Sequence, residues 1–126
     1  MLKNIVHFYF HLLILTMAQP HLIFGCATIG HTFATESEVS AILNTVKRSG
    51  VSRLDTAARY PPTAPGRSEE LLGDAQAGAK GFAIDTKIKV AGTTTDGSLT
   101  ASAIENSLNN SFKSLRISQV RSLRRV

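Results

Sequence analysis

The chain has 126 residues, 43% of them hydrophobic. That length supports one domain with a modest core and falls far short of the ~250 residues of a complete eightfold βα barrel. A net charge of +5 invites a nucleic-acid reading, but Lys113, Arg116, Arg121, Arg124 and Arg125 carry all of it, leaving nine basic and nine acidic residues ahead of them. No aromatic follows Phe112, so this basic tail lacks the stacking groups of a nucleic-acid surface, and no nucleic-acid partner is expected. The single cysteine, Cys26, excludes an intrachain disulfide and a CxxC metal site.

Residues 1–16 differ in character from the rest of the chain. Lys3 precedes an apolar run over 5–15, a length suited to a signal-peptide core and short of the ~20 residues needed to span a bilayer. Thr16, Met17 and Ala18 place small residues before a cut after Ala18, whereas His7 and His11 interrupt the run. Three readings stay open for 1–16: an extension upstream of a natural start at Met17, a signal or anchor leading to a secreted or membrane-associated protein, or an ordinary helix.

From His21 onward, strand-like and helix-like segments alternate, which predicts βα units and a parallel sheet. Residues 22–26 read as a first strand. Val39, Ile42, Leu43 and Val46 recur at helical spacing over 36–50, with Thr35 or Ser37 as cap and Gly50 after Lys47 and Arg48 at the end. Residues 51–56 form a second strand, and Pro61, Pro62 and Pro65 force a loop over 60–66. A second helix starts near Ser68 and ends near Gly78, a third strand covers 82–88, and 91–98 is a polar loop. A third helix covers 100–115, with Ala103, Ile104, Leu108, Phe112 and Leu115 on its apolar face and Ser98 or Thr100 as cap.

A fourth strand in a parallel barrel is buried on both faces and nearly all apolar. Arg121, Arg124 and Arg125 make 119–126 a poor match, because burying them without partners costs several kcal/mol each. The expected organisation is therefore an apolar extension over 1–16, a domain over 17–115 and a solvated basic tail over 116–126. Three parallel strands alone leave two unpaired edges and an uncovered apolar inner face, which favours self-association through the edges or disorder.

Three stretches carry chemistry: Leu54-Asp55-Thr56-Ala57-Ala58-Arg59-Tyr60, Gly66-Arg67-Ser68-Glu69-Glu70-Leu71-Leu72-Gly73, and Asp85-Thr86-Lys87. Asp55 and Lys87 fall at the carboxyl ends of successive strands, the face where barrel enzymes build their sites. Singly, each residue has a plainer reading. A strand-end Asp is often a cap or turn residue, Tyr60 can pack on the prolines after it, and Cys26 among small residues is a buried thiol before it is a reactive one.

Together, over roughly 21–120, these stretches resemble the aldo-keto reductase family. The proline loop and the Gly-x-Ser-Glu after it are similar to the aflatoxin-aldehyde-reductase-like subgroup. The resemblance implies an α/β fold, an incomplete TIM (β/α)8 barrel with the first three βα units only. It also implies a cytoplasmic oxidoreductase that uses NADPH to reduce a small-molecule carbonyl substrate, with no membrane partner. By the same resemblance Tyr60 is the general acid that protonates the carbonyl oxygen. A free tyrosine ionises near pH ~10, so a neighbouring cation, here Lys87, makes its proton available. Asp55 would pair with Lys87 and balance its charge.

The family's fourth site residue is a His after the next strand, and no His follows His31 in this chain. Neither Gly-x-Gly-x-x-Gly nor Gly-x-x-x-x-Gly-Lys-Ser/Thr occurs, so no cofactor-binding residue is assigned, and no metal is implied. The chain is thus expected to be inactive by itself. The rival reading is a noncatalytic interaction protein that uses exposed strand edges and the basic tail.

Overall fold

The computed structural model describes residues 20–89 and 99–125. The expected extension over 1–16 and polar loop over 91–98 lie outside these residues, as does Val126. The described elements run β1 (Phe24–Gly25), α1 (Glu36–Arg48), β2 (Arg53–Asp55), α2 (Arg67–Asp74), β3 (Ala83–Ile88), α3 (Ala101–Leu115) and β4 (Ser122–Arg125). All four strands are parallel and lie in chain order, with Gly25 beside Asp55, Asp55 beside Asp85, and Lys87 beside Arg124.

Local chemistry sets the helix limits. Thr35 caps α1 through a capping box: its hydroxyl accepts from the Glu38 amide at 3.3 Å while the Glu38 carboxylate accepts from the Thr35 amide at 3.0 Å. The Thr35 hydroxyl and amide bonds hold the Glu38 carboxyl below its usual range. Thr100 caps α3 by accepting from the Ala103 amide, and Arg116 in the left-handed region ends it. The second helix is shorter than expected, ending at Asp74, with Gln76 at φ 56° two residues on.

Between sheet and helices lies one core. Val39, Leu43 and Val46 from α1, Leu71 and Leu72 from α2 and Leu115 from α3 pack with Leu54 and Ile84 of the strands. Because side chains alternate along a strand, Leu54, Ile84 and Thr86 face the helices, and Arg53, Asp55, Asp85 and Lys87 face the other way. That second face is charged, which corrects the expectation of an apolar inner surface. Arg53 pairs with Asp85 at 2.7 Å and Lys87 with Asp55 at 2.6 Å. The exposed large apolar side chains sit on the sheet's outer strands or just before them: Leu22 and Ile23 by β1, Leu123 on β4.

The basic tail also departs from expectation. Residues 122–125 form β4, paired with β3 from Ser122 beside Asp85 to Arg125 beside Ile88, and the Arg121 amide donates to the Ile84 carbonyl at 2.8 Å. A strand at the outer position of the described sheet need not be apolar on both faces. Arg121 and Arg124 stay exposed, so neither incurs the desolvation that argued against a strand.

Candidate active site

The three residues singled out from the sequence converge at the carboxyl ends of β2 and β3. Both strands read charge-x-charge with opposite order: Arg53-x-Asp55 and Asp85-x-Lys87. With Asp55 beside Asp85, each cation lies one diagonal step from the opposite carboxylate. The outcome is two stacked ion pairs of the same geometry. Lys87 Nζ donates to Asp55 Oδ2 at 2.6 Å and to the Thr56 carbonyl at 2.9 Å. The other pair, Arg53 with Asp85, gives no signal in the sequence, since it shows only once the register is known. Among the described residues, Asp85 Oδ1 has no partner although it is fully buried.

Tyr60 completes the cluster from the loop. Its amide donates to the Ala57 carbonyl and its own carbonyl accepts from the Ser68 amide, each at 3.0 Å, so the loop is fastened at both ends of the residue. The Ala58 amide donates to the Lys87 carbonyl at 3.2 Å. The Lys87 ammonium then sits over the Tyr60 ring, 5.0 Å from its centroid, within cation–π range. Lys87 and Asp55 keep 15% and 29% of their side-chain surface exposed, so the cluster is accessible from solvent while most of the ion pair is shielded.

Behind the cluster, Cys26 is fully buried, its amide donating to the Asp55 carbonyl at 2.8 Å. Burial, with a smaller push from Asp55, raises its thiol to about 12, against an opposing pull from Lys87. Cys26 is a core residue. Its alkylation by iodoacetamide in the native chain is expected to run at least about 100-fold slower than in urea, since the thiolate is the nucleophile; a native rate within about tenfold of the unfolded one would contradict the burial.

Two further residues, Glu69 and Ser111, receive no individual role from the sequence, although Glu69 lies in the Gly-x-Ser-Glu stretch. Glu69 is 2% exposed although it occupies the first turn of a surface helix, and Ser111 is a buried hydroxyl on the same face of α3 as Ile104, Leu108 and Leu115, where the pattern predicts apolar side chains. Burial pushes the Glu69 carboxyl up, opposed by hydrogen bonds from Thr86 and Ser111. Among the described residues no group of three or more His, Cys, Asp or Glu could hold a metal, and no helix is long and apolar enough to cross a membrane.

The same arrangement of strands and helices occurs in solved proteins. A Pseudomonas aeruginosa protein assigned as an aldo-keto reductase superposes with a TM-score of 0.67 at 26% identity, covering 86% of this chain and 42% of that one. The holo form of an aldo-keto reductase from Bacillus halodurans superposes with a TM-score of 0.62 at 21% identity, over 82% of this chain and 34% of that one. The four parallel strands and three helices therefore match part of a (β/α)8 barrel, and the chain spans about two-fifths or less of the length of these structures. Comparison with curated protein sequences found no significant match. The sequence profile of the "Aldo/keto reductase family" matches residues 21–123, which takes in every described strand and helix up to the middle of β4, and on that match the chain belongs to the aldo/keto reductase family.

Proposed function

We propose that this chain forms the first part of the barrel of an NADPH-dependent reductase of aldehydes or ketones, in which Tyr60 is the general acid, Lys87 its cationic partner and Asp55 the counter-ion. The observation that carries the reading is the 2.6 Å Asp55–Lys87 pair with the ammonium against the Tyr60 ring. The residues present fit one end of such a cofactor's work. A phenol whose ring lies 5.0 Å from a shielded cation suits a carbonyl oxygen gaining negative charge, whereas the sequence offers no glycine-rich turn for the phosphates. When bound, the nicotinamide supplies a hydride to the carbonyl carbon.

The chain's own groups manage the proton and the charge. Tyr60 donates its hydroxyl proton to the carbonyl oxygen as the alkoxide develops. The Lys87 cation stabilises the phenolate left behind, and Asp55 fixes the ammonium so that it does not reorganise during the step. The loop of Pro61, Pro62 and Pro65 supports placement near the aflatoxin-aldehyde-reductase-like subgroup.

The barrel segment beyond this length in the solved relatives is needed for turnover, so the 126 residues alone are expected to be inactive. The test compares this chain with a barrel in which residues 21–123 are joined to the remaining segment of the Pseudomonas aeruginosa relative, each assayed for NADPH oxidation with an aromatic aldehyde. Turnover by the completed barrel alone supports the reading, and an inactive completed barrel that folds and binds NADPH overturns it. A noncatalytic interaction role draws on Leu123, 38% exposed on β4. It predicts that Asp55, Tyr60 and Lys87 are dispensable.

A further inference from the structure

We propose that Ser68 and Glu69 are positioning residues which lock Thr56 and Thr86, the chain neighbours of Asp55 and Lys87, from the helical side of the sheet and thereby hold the Lys87 ammonium on the Asp55 carboxylate. The catalytic meaning of this inference rests on the function proposed above; the structural coupling does not.

The two strand ends carry the same pattern, an ionisable residue facing away from the helices and a threonine beside it facing them. The first turn of α2 meets both threonines. Ser68 Oγ donates to the Cys26 carbonyl at 3.1 Å, which leaves Thr56 Oγ1 to donate to Ser68 Oγ at 3.0 Å. Thr86 Oγ1 donates to Glu69 Oε1 at 2.6 Å. Consecutive residues are about 3.8 Å apart at Cα, close to the ~4.8 Å between neighbouring strands, so two successive side chains of one helical turn reach two adjacent strands. One turn therefore ties β1, β2 and β3 together at their carboxyl ends.

Glu69 is itself held from the far side. Ser111 Oγ of α3 donates to its second oxygen at 3.1 Å, so both oxygens are engaged and the carboxylate cannot swing away from Thr86. Ser68 and Glu69 lose essentially all their solvent contact, where apolar side chains would fill the space without the desolvation cost of a carboxylate. What an apolar filler cannot do is hold Thr86 by its hydroxyl. The Thr56 carbonyl, part of the residue Ser68 restrains, is also the second acceptor of Lys87 Nζ.

The experiment is site-resolved acetylation of lysines in the 126-residue chain, read by mass spectrometry as the rate at Lys87 relative to exposed Lys113, with Cys26 alkylation followed in the same samples. Glu69→Ala is expected to speed Lys87 acetylation about three- to tenfold, the factor that one lost hydrogen bond represents. Thr86→Val, which breaks the same bond from the other partner at constant volume, should reproduce the effect, and Ser68→Ala should act in the same direction. Glu69→Gln keeps an acceptor for Thr86 and gains a donor for Ser111, and should restore the original rate. In each case Cys26 should stay closed.

A merely structural role would open Lys87 and Cys26 together, and that outcome overturns the inference. So does an unchanged Lys87 rate in both Glu69→Ala and Thr86→Val, or a Glu69→Gln chain that behaves like Glu69→Ala. Acetylation needs no turnover. Release of Lys87 in these variants alongside an inactive completed barrel would defeat the proposed function and leave this coupling standing.

Discussion

Tyr60→Phe in a completed barrel is expected to lower kcat by about 10²- to 10⁴-fold, the usual contribution of a positioned general acid, with little change in KM. The substitution is selective because of how the site is assembled. Lys87 meets Tyr60 through the ring face, and its hydrogen bonds go to Asp55 and Thr56. A phenylalanine keeps that ring and its packing, so the ion pair stays in place and only the transferable proton is lost. Binding a carbonyl substrate in its ground state draws little on that proton, whereas the developing alkoxide depends on it; the loss therefore falls on turnover. Lys87→Met should cost at least as much, since it removes the cation and leaves Asp55 unpaired in a largely shielded position. Asp55→Asn should cost less, because the ammonium keeps the Thr56 carbonyl and the ring. If Tyr60→Phe retains more than about half of kcat, Tyr60 is not the acid.

The parts of this molecule that were legible in the sequence are those set by local periodicity. Val39, Leu43 and Val46 announce α1 because a helix buries every third or fourth residue, and all three are core residues. The Thr35 cap follows from side-chain chemistry three residues deep. Asp55, Tyr60 and Lys87 were legible as a group only through the resemblance of the stretches that carry them to the aldo-keto reductase family, and the structure brings them into one cluster.

What was not legible depends on tertiary context. Arg53 and Asp85 pair only through a register that neither strand encodes alone. Reading β4 as tail came from applying the rule for a strand buried on both faces to one that exposes Arg124. Glu69 breaks the usual solvent placement of a first-turn carboxylate because Thr86 and Ser111 await it in the core, and no pattern within α2 signals hydroxyls on two other elements. The same limit applies to the charged inner face: its polarity was present in Arg53-x-Asp55 and Asp85-x-Lys87, but only the pleat shows that all four residues share a side.

Gly73→Ala is expected to be the most destabilising small substitution in the fold, at about 3 kcal/mol or more. Two effects oppose each other at this position. Alanine is the better helix former by ~1 kcal/mol, which alone would stabilise α2. Against that, a methyl group at Gly73 would sit on the carbonyl oxygen of Ser114, with the carbonyl carbons of Ser114 and Leu115 at 3.0 and 3.1 Å. These are backbone atoms and cannot rotate aside. Nor can α3 slide as a body, since Ser111 is bonded to Glu69 at one end of the contact and Arg116 is paired with Asp74 at the other. The steric effect wins, and in a domain of this size it should lower Tm by roughly 10–20 °C. Gly78→Ala provides the control. There the added methyl meets Ile117 Cγ2 at 2.5 Å, the end of a side chain that can change rotamer, so the cost should remain below about 1 kcal/mol. Thermal denaturation of the two variants beside the parent chain decides the matter: a Gly73→Ala midpoint at or above that of Gly78→Ala would show that α2 and α3 do not meet backbone to backbone as described.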